Sequence, residues 1–256
     1  MTSQKDKARQ FATLHKPGEP LILFNAWDPG SAKVVEEAGA RAIATGSWSV
    51  AAAFGFEDGE KLPRELALAN LERIVSAVSL PVTVDLEGGY GRAPAEVAET
   101  ASRAIGAGAI GCNLEDQVVG GDGLFAIDDQ CERIDAVRKA ADKSDIAFFI
   151  NARTDLFLKA PPEQHGGLVK AALDRGRLYA EAGASGLFVP GLADEGLIAT
   201  VCSKTPLPVN IMASPNTPPA KRLAQLGVAR ISHGPGPYRI AMRALAEAAR
   251  AAHKGA

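Results

Sequence analysis

Two kinds of block take turns along this chain. Short apolar runs are closed by Gly, Pro, Asn or Asp, and each is followed by a longer stretch in which apolar positions return every three or four residues. The short runs read as strands buried on both faces, and the longer stretches as amphipathic helices. The strand candidates are Leu21–Trp27, Arg41–Gly46, Val82–Glu87, Ile110–Glu115, Ala147–Arg153, Gly186–Pro190, Pro208–Ala213 and Ala229–His233. Helices are expected over Ser31–Ala38, Arg64–Val78, Pro94–Ile105, Asp128–Ala141, Leu168–Ala182, Glu195–Cys202 and Pro219–Leu226. A leading helix, Gln4–Leu14, and a terminal one, Tyr238–His253, flank them. Gly39, Gly108, Gly183 and Gly227 each separate a helix from the next strand, as a tight connection requires. Eight strand-then-helix cycles predict an α/β fold, a (β/α)8 TIM barrel, with residues 1–256 forming a single domain.

In such a barrel the C-terminal strand ends meet at one mouth, and the polar residues of this chain recur there. Asn25, Trp27 and Asp28 follow the first strand; Thr45, Gly46 and Ser47 follow the second, with Asp58 in the loop beyond. Asp85 and Glu87 end the third strand, Glu115 and Asp116 the fourth, and Arg153 and Asp155 the fifth. Asn210 lies in the seventh strand, and His233 ends the eighth.

Asp85 and Glu87 sit at alternating positions and are expected on one side of the strand end. Two such acids repel unless a cation or a shared proton lies between them, so a divalent metal is one reading; an N-cap pair before the helix near Ala93 is the other. The excess of acids suits magnesium or manganese before zinc. Arg153 can grip a carboxylate or phosphonate with its planar fork, or pair with Asp155 or Glu115. Backbone amides at Gly46 and Ser47 can face an oxyanion or form a plain turn, and His233 can act chemically or pack at the rim.

Composition narrows the partners. The net charge is -2 and the pI about 6.1, which excludes a strongly basic nucleic-acid or membrane-surface binder. Cys112, Cys131 and Cys202 show no metal spacing and suit reduced thiols. No apolar run is long enough to span a bilayer, and the expected location is the cytoplasm.

Asp85-Leu86-Glu87-Gly88-Gly89-Tyr90-Gly91, Thr45-Gly46-Ser47 up to Asp58, Asn113-Leu114-Glu115-Asp116 and Ala152-Arg153 together resemble segments of the isocitrate lyase / phosphoenolpyruvate mutase superfamily. The likeness runs from about Leu21 to Leu245. It implies Mg2+ held by Asp85, directly or through water, with Asp58, Glu87 and Glu115 around it. It further implies that Gly46, Ser47 and Arg153 grip a small 2-oxo or 2-hydroxy acid; Trp27, Thr45 and Asn210, placed at the same mouth by their strands, are expected to bind it too. An enolpyruvate-like oxyanion, a homodimer or homotetramer and a terminal helix exchanged between subunits belong to the same implication. The lyase branch carries a Lys-Lys/Arg-Cys-Gly-His gating loop after the fourth strand, whereas this chain reads Gln117-Val118-Val119-Gly120-Gly121-Asp122-Gly123. The resemblance thus favours a carbon-carbon lyase or decarboxylase that either needs no such proton donor or uses Asp122 on a glycine-hinged loop. Carbon-phosphorus chemistry, and a barrel that binds a keto acid without transforming it, are the alternatives.

Overall fold

The computed structural model describes residues 2–254. Its strands are β1 (Leu21–Leu23), β2 (Ile43–Ala44), β3 (Val82–Asp85), β4 (Gly111–Glu115), β5 (Phe149–Arg153), β6 (Gly186–Phe188), β7 (Val209–Met212) and β8 (Arg230–Ser232). All pair in parallel, in the order β1-β8-β7-β6-β5-β4-β3-β2. The seam between β1 and β2 has no ladder. It is closed by one bridge, Ala26 to Thr45, in which Ala26 N donates to Ala44 O at 2.8 Å. Asn25 reinforces it: Nδ2 donates to Thr45 O at 2.8 Å, while Oδ1 accepts from His233 N and Gly234 N, each at 2.9 Å. One side chain thereby ties β1, β2 and the turn after β8 into a nearly closed barrel.

The helices are α1 (Gln4–Thr13), α2 (Pro29–Glu37), α3 (Ser47–Ala53), α4 (Arg64–Ala77), α5 (Pro94–Gly106), α6 (Ile127–Lys143), α7 (His165–Glu181), α8 (Glu195–Lys204), α9 (Ala220–Gln225) and α10 (Gly236–Lys254). Gly39, Gly108, Gly183 and Gly227 have φ of 91°, 97°, 99° and 90°, the left-handed geometry in which a helix turns into the next strand. α3 was not anticipated; at seven residues it is too short to show a helical period in sequence. β1 and β2 are shorter than their apolar runs because residues 24–27 and 45–46 leave the ladder to form the seam.

α1 plugs the N-terminal end of the barrel. Phe11 meets Phe149 edge to face at 5.5 Å, and the His15 ring stacks on Phe149 at 3.9 Å. The terminal helix behaves differently. Among α10 residues only Pro237 is buried, while Ile240 and Leu245 are 53% and 63% exposed. Beside α2 and β1 runs an apolar groove of about 430 Å³ that includes Leu21, Ile22, Phe24, Val34 and Val35. Among the described residues, no helix is long and apolar enough to cross a membrane.

Candidate active site

A cavity of about 170 Å³ opens at the C-terminal ends of the strands. Its polar wall includes Ser47, Asp58, Asp85, Asn113 and Arg153, and its apolar wall Trp48, Leu158, Phe188, Met212 and Pro235. Asp85 closes β3 and is held in place. Its N–H donates to Thr45 Oγ1 at 3.0 Å, and its Oδ2 accepts from Ser47 N at 3.2 Å and Ser47 Oγ at 3.0 Å. Oδ1 receives only a long contact, 3.4 Å from Glu87 N, and stays available. The Ser47 amide, expected to serve an oxyanion, is instead engaged in holding Asp85.

Glu87 does not share the strand face with Asp85. β3 ends at Asp85, and Glu87 has φ of 52°, a left-handed conformation uncommon for a residue with a side chain. Its Oε2 accepts from Gly59 N at 2.9 Å and Glu60 N at 2.7 Å, so the acid pins the loop that carries Asp58. Burial, then the charges of Asp58 and Asp85, push the Glu87 carboxyl up to about 8. Desolvation and the Asp85 charge also raise Asp58. The N-cap reading of the pair is corrected: α5 starts at Pro94 after Ala93, and Glu96 Oε2 accepts the Arg92 and Ala93 N–H groups. Arg133 holds the turn after Glu87, donating to Gly88 O and to Gly91 O, with its guanidinium 4.0 Å from the Phe125 ring centroid.

Arg153 ends β5 inside a ring of carboxylates. Nε donates to Asp155 Oδ1 at 2.6 Å, Nη2 to Asp155 Oδ2 at 2.9 Å, and Nη1 lies 2.9 Å from Glu115 Oε2. Burial alone would lower its pKa, but Glu115 and Asp155 hold it well above the ordinary arginine range. Three of its five N–H donors are taken and two remain. Behind it, Asp116 Oδ1 accepts Asp155 N at 3.0 Å, and Asp116 Oδ2 accepts Tyr179 Oη at 2.9 Å and pairs with Arg175 at 3.1 Å.

The cavity floor is a polar lattice. Asn113 Oδ1 accepts from Asn151 Nδ2 at 2.9 Å and Arg230 Nη2 at 3.1 Å. Because arginine only donates, the atom facing it must be the amide oxygen, so Asn113 presents its NH2 to the cavity. Asn210, 1% exposed, lies beneath: its Nδ2 donates to Ser232 Oγ at 3.1 Å and its Oδ1 accepts from Asn151 at 3.1 Å. Its part is to orient the floor.

The family model for phosphoenolpyruvate phosphomutase matches residues 11–253. The chain belongs to the isocitrate lyase / phosphoenolpyruvate mutase superfamily. It is 32% identical to 2-methylisocitrate lyase of Escherichia coli (strain K12) over 213 residues, 77% of this chain and 70% of that one. A structure from Burkholderia cenocepacia J2315, provisionally described as a phosphonomutase, is 54% identical with a TM-score of 0.95, covering 98% of this chain and 100% of that one. A phosphonopyruvate hydrolase solved with oxalate and Mg2+ is 25% identical with a TM-score of 0.84, covering 97% and 88%.

This superfamily of lyases and mutases implies a metal, and the donor set here can be tested against one. Among the described residues no three His, Cys, Asp or Glu side chains form a ready cage. Magnesium commonly takes one or two carboxylates and keeps several waters. Asp85 Oδ1 is the open oxygen, and burial, then the charges of the neighbouring acids, raises the pKa values of Asp58 and Glu87. The residues present fit a hard cation, which Asp85, with Asp58 and Glu87 beside it, would hold.

Several expected residues stand elsewhere in this superfamily member. Trp27 packs with Val50, Ala51 and Leu62 and lies 5.1 Å from the Tyr238 ring, outside the cavity lining. Thr45 acts from behind, through Asp85 N. The His233 ring faces Phe24 at 5.1 Å, with Nδ1 3.3 Å from Leu23 O, while Gly234 and Pro235 take the place at the rim. Asp122 is exposed on the loop after β4, where Val118 N donates to Gly123 O and Val119 packs over Gly88. Missed by sequence reasoning were Trp48, Asn113, Leu158, Phe188, Met212 and Ser232. Asn113 and Phe188 had a usable cue, standing one residue after Cys112 and Leu187 in runs whose alternate residues face the barrel interior.

Proposed function

We propose that this protein is a magnesium-dependent lyase that breaks a bond to C3 of a small 2-oxo or 2-hydroxy acid. The observation that carries the reading is Asp85, fixed by Ser47 and Thr45 with one free oxygen at the cavity, facing the two remaining donors of Arg153. Magnesium bound there would supply charge stabilisation for an α-oxygen that turns anionic. The chain does the rest. The Asn113 NH2 and the free Arg153 donors orient the carboxylate, and Asn151, Arg230 and Asp155 keep them from turning away. For a 2-oxo acid, the electron pair of the breaking C3 bond moves onto the α-oxygen and returns when C3 takes a proton. We assign that proton to Asp122, delivered by closure of the loop over Gln117–Leu124, for products that need one. His233 receives no role.

The test is turnover of a panel of 2-oxo and 2-hydroxy acids, oxaloacetate included, with magnesium, by the native protein and by Asp85→Ala. Activity of the native protein abolished in the variant supports the reading, and equal turnover refutes it. The Burkholderia cenocepacia relative motivates a second reading, carbon-phosphorus chemistry, which phosphonopyruvate turnover would establish. Binding without turnover of any acid would leave a non-catalytic keto-acid protein.

We further infer a cytoplasmic homodimer or homotetramer in which α10 leaves its own barrel and lays Ile240, Met242 and Leu245 along the groove beside α2 of a second copy. The support is that helix and groove are both apolar and both uncovered.

A further inference from the structure

The carboxylates of the mouth cavity and most of its large apolar side chains stand on facing arcs of the barrel, Trp48 after β2 excepted. Asp85 stands on β3 and Met212 on β7, four strands apart in a ring of eight, and Phe188 on β6 opposes β2, which leads to Ser47 and Asp58. All the carboxylates therefore lie on one arc. The facing arc offers Phe188, Met212 and, from the loop after β5, Leu158.

Among the described residues, the one cation beside that arc is Arg153, whose guanidinium lies 5.8 Å from the Phe188 ring centroid, and its two free donors are assigned above to the head group. No other Lys, Arg or His among the described residues lines the cavity, and the Arg153 charge is already opposed by Glu115 at 2.9 Å and Asp155 at 2.6 Å. Arg239 lies over the Trp48 ring, 4.7 Å from its centroid, outside the lining. Arg230 is sealed under the floor at 1% exposure. Loop closure would bring Asp122, another acid. A carboxylate or phosphonate directed at Phe188 and Met212 would lose its water and meet no cation besides a guanidinium already opposed by two carboxylates and engaged by the head group, which disfavours binding.

Resting on the lyase reading above, we propose that the substrate is a 2-oxo acid with a single charged head group and an uncharged, short C3 substituent, selected by Leu158, Phe188 and Met212. At about 170 Å³ the cavity is little larger than the roughly 150 Å³ void that holds a benzene ring, so the substituent is a few carbons long. The leaving fragment is then neutral. For a 4-hydroxy-2-oxo acid, the C3–C4 bond breaks, the hydroxyl proton passes to a carboxylate, and C4 departs as an aldehyde carbon. The electron pair moves to the α-oxygen and C3 takes a proton, giving a shorter 2-oxo acid and an aldehyde with no co-reactant.

Calorimetry on the full chain with saturating magnesium tests this with oxalate, 2-hydroxypentanoate and malate, the last two differing by an ethyl group against a carboxylate. Oxalate probes the head-group site alone. Its failure to bind the native protein, or equal binding by Asp85→Ala, would overturn the lyase reading and this proposal with it. With oxalate bound, 2-hydroxypentanoate is expected to bind at least roughly tenfold more tightly than malate. Malate binding equally or better would overturn the proposal while leaving the metal site standing. Leu158→Arg, at a position 47% exposed and so tolerant of a long side chain, is expected to reverse the preference toward malate while oxalate still binds. An unchanged preference, with oxalate still bound, would show that this arc does not contact the substituent.

Discussion

Acidification should expose two buried groups whose contributions to stability have opposite signs. His15, under the barrel floor, is lowered from 6.5 to about 3 by burial and then by the Arg230 charge. It stays neutral when folded but takes a proton when unfolded, so its contribution is full above pH 6.5 and is lost as pH falls toward 3. Glu87 is raised from 4.5 to about 8, so its contribution is full below pH 4.5 and is lost as pH rises toward 8. Each pH unit inside a group's window is worth about 1.4 kcal/mol. Between pH 7.5 and 5, His15 should cost about 2 kcal/mol while Glu87 returns about 3 kcal/mol. His15→Gln removes the first contribution only. Urea unfolding with chelator present, at one protein concentration, should then show the variant gaining about 2 kcal/mol more than the native protein on going from pH 7.5 to 5. Comparing each protein with itself cancels any pH-independent cost of losing the contact to Phe11 O at 2.9 Å. The same pH response in both proteins would refute the claim that His15 is held neutral.

Other consequences follow from contacts already described. Asp155→Asn leaves the buried Arg153 with Glu115 as its one charged partner and should cost about 3–5 kcal/mol in denaturant unfolding; a loss below about 1 kcal/mol would mean that the pair is loose. Gly89 has φ of 91°, and a Cβ there would lie 2.7 Å from Val97 Cγ1. Gly89→Ala should lower stability by about 1–3 kcal/mol and weaken magnesium binding by tilting the Glu87 turn, both readable by thermal shift with and without the metal. Leu245→Glu, on the uncovered face of α10, should shift the assembly toward monomer in light scattering at micromolar concentration, and an unchanged mass would exclude α10 as the exchanged element.

The barrel was legible in the sequence because its information is local and repeated. Each apolar run specifies a strand buried on both faces, and each Gly at 39, 108, 183 and 227 specifies a left-handed exit from a helix, so the eight cycles can be counted without knowing which residues touch. Asp85 and Arg153 were placed at the mouth the same way, since a charged residue just after a buried run has few places to go but the mouth, whereas Asp58, well beyond its strand, entered the metal set through the family resemblance. The roles of these residues were not local. Whether Arg153 holds substrate or pairs with Glu115 and Asp155 depends on how β4 and β5 align, Glu115 opposite Arg153, and no spacing encodes that register. The placement of His233 toward Phe24, and of Asn113 toward the cavity, follows from hydrogen bonds between strands far apart in the chain, through Asn25 and Arg230. The apolar arc of Leu158, Phe188 and Met212 was hidden for a simpler reason. In sequence a hydrophobic residue at a strand end looks like core, and only closure of the ring shows which ones are left facing a cavity.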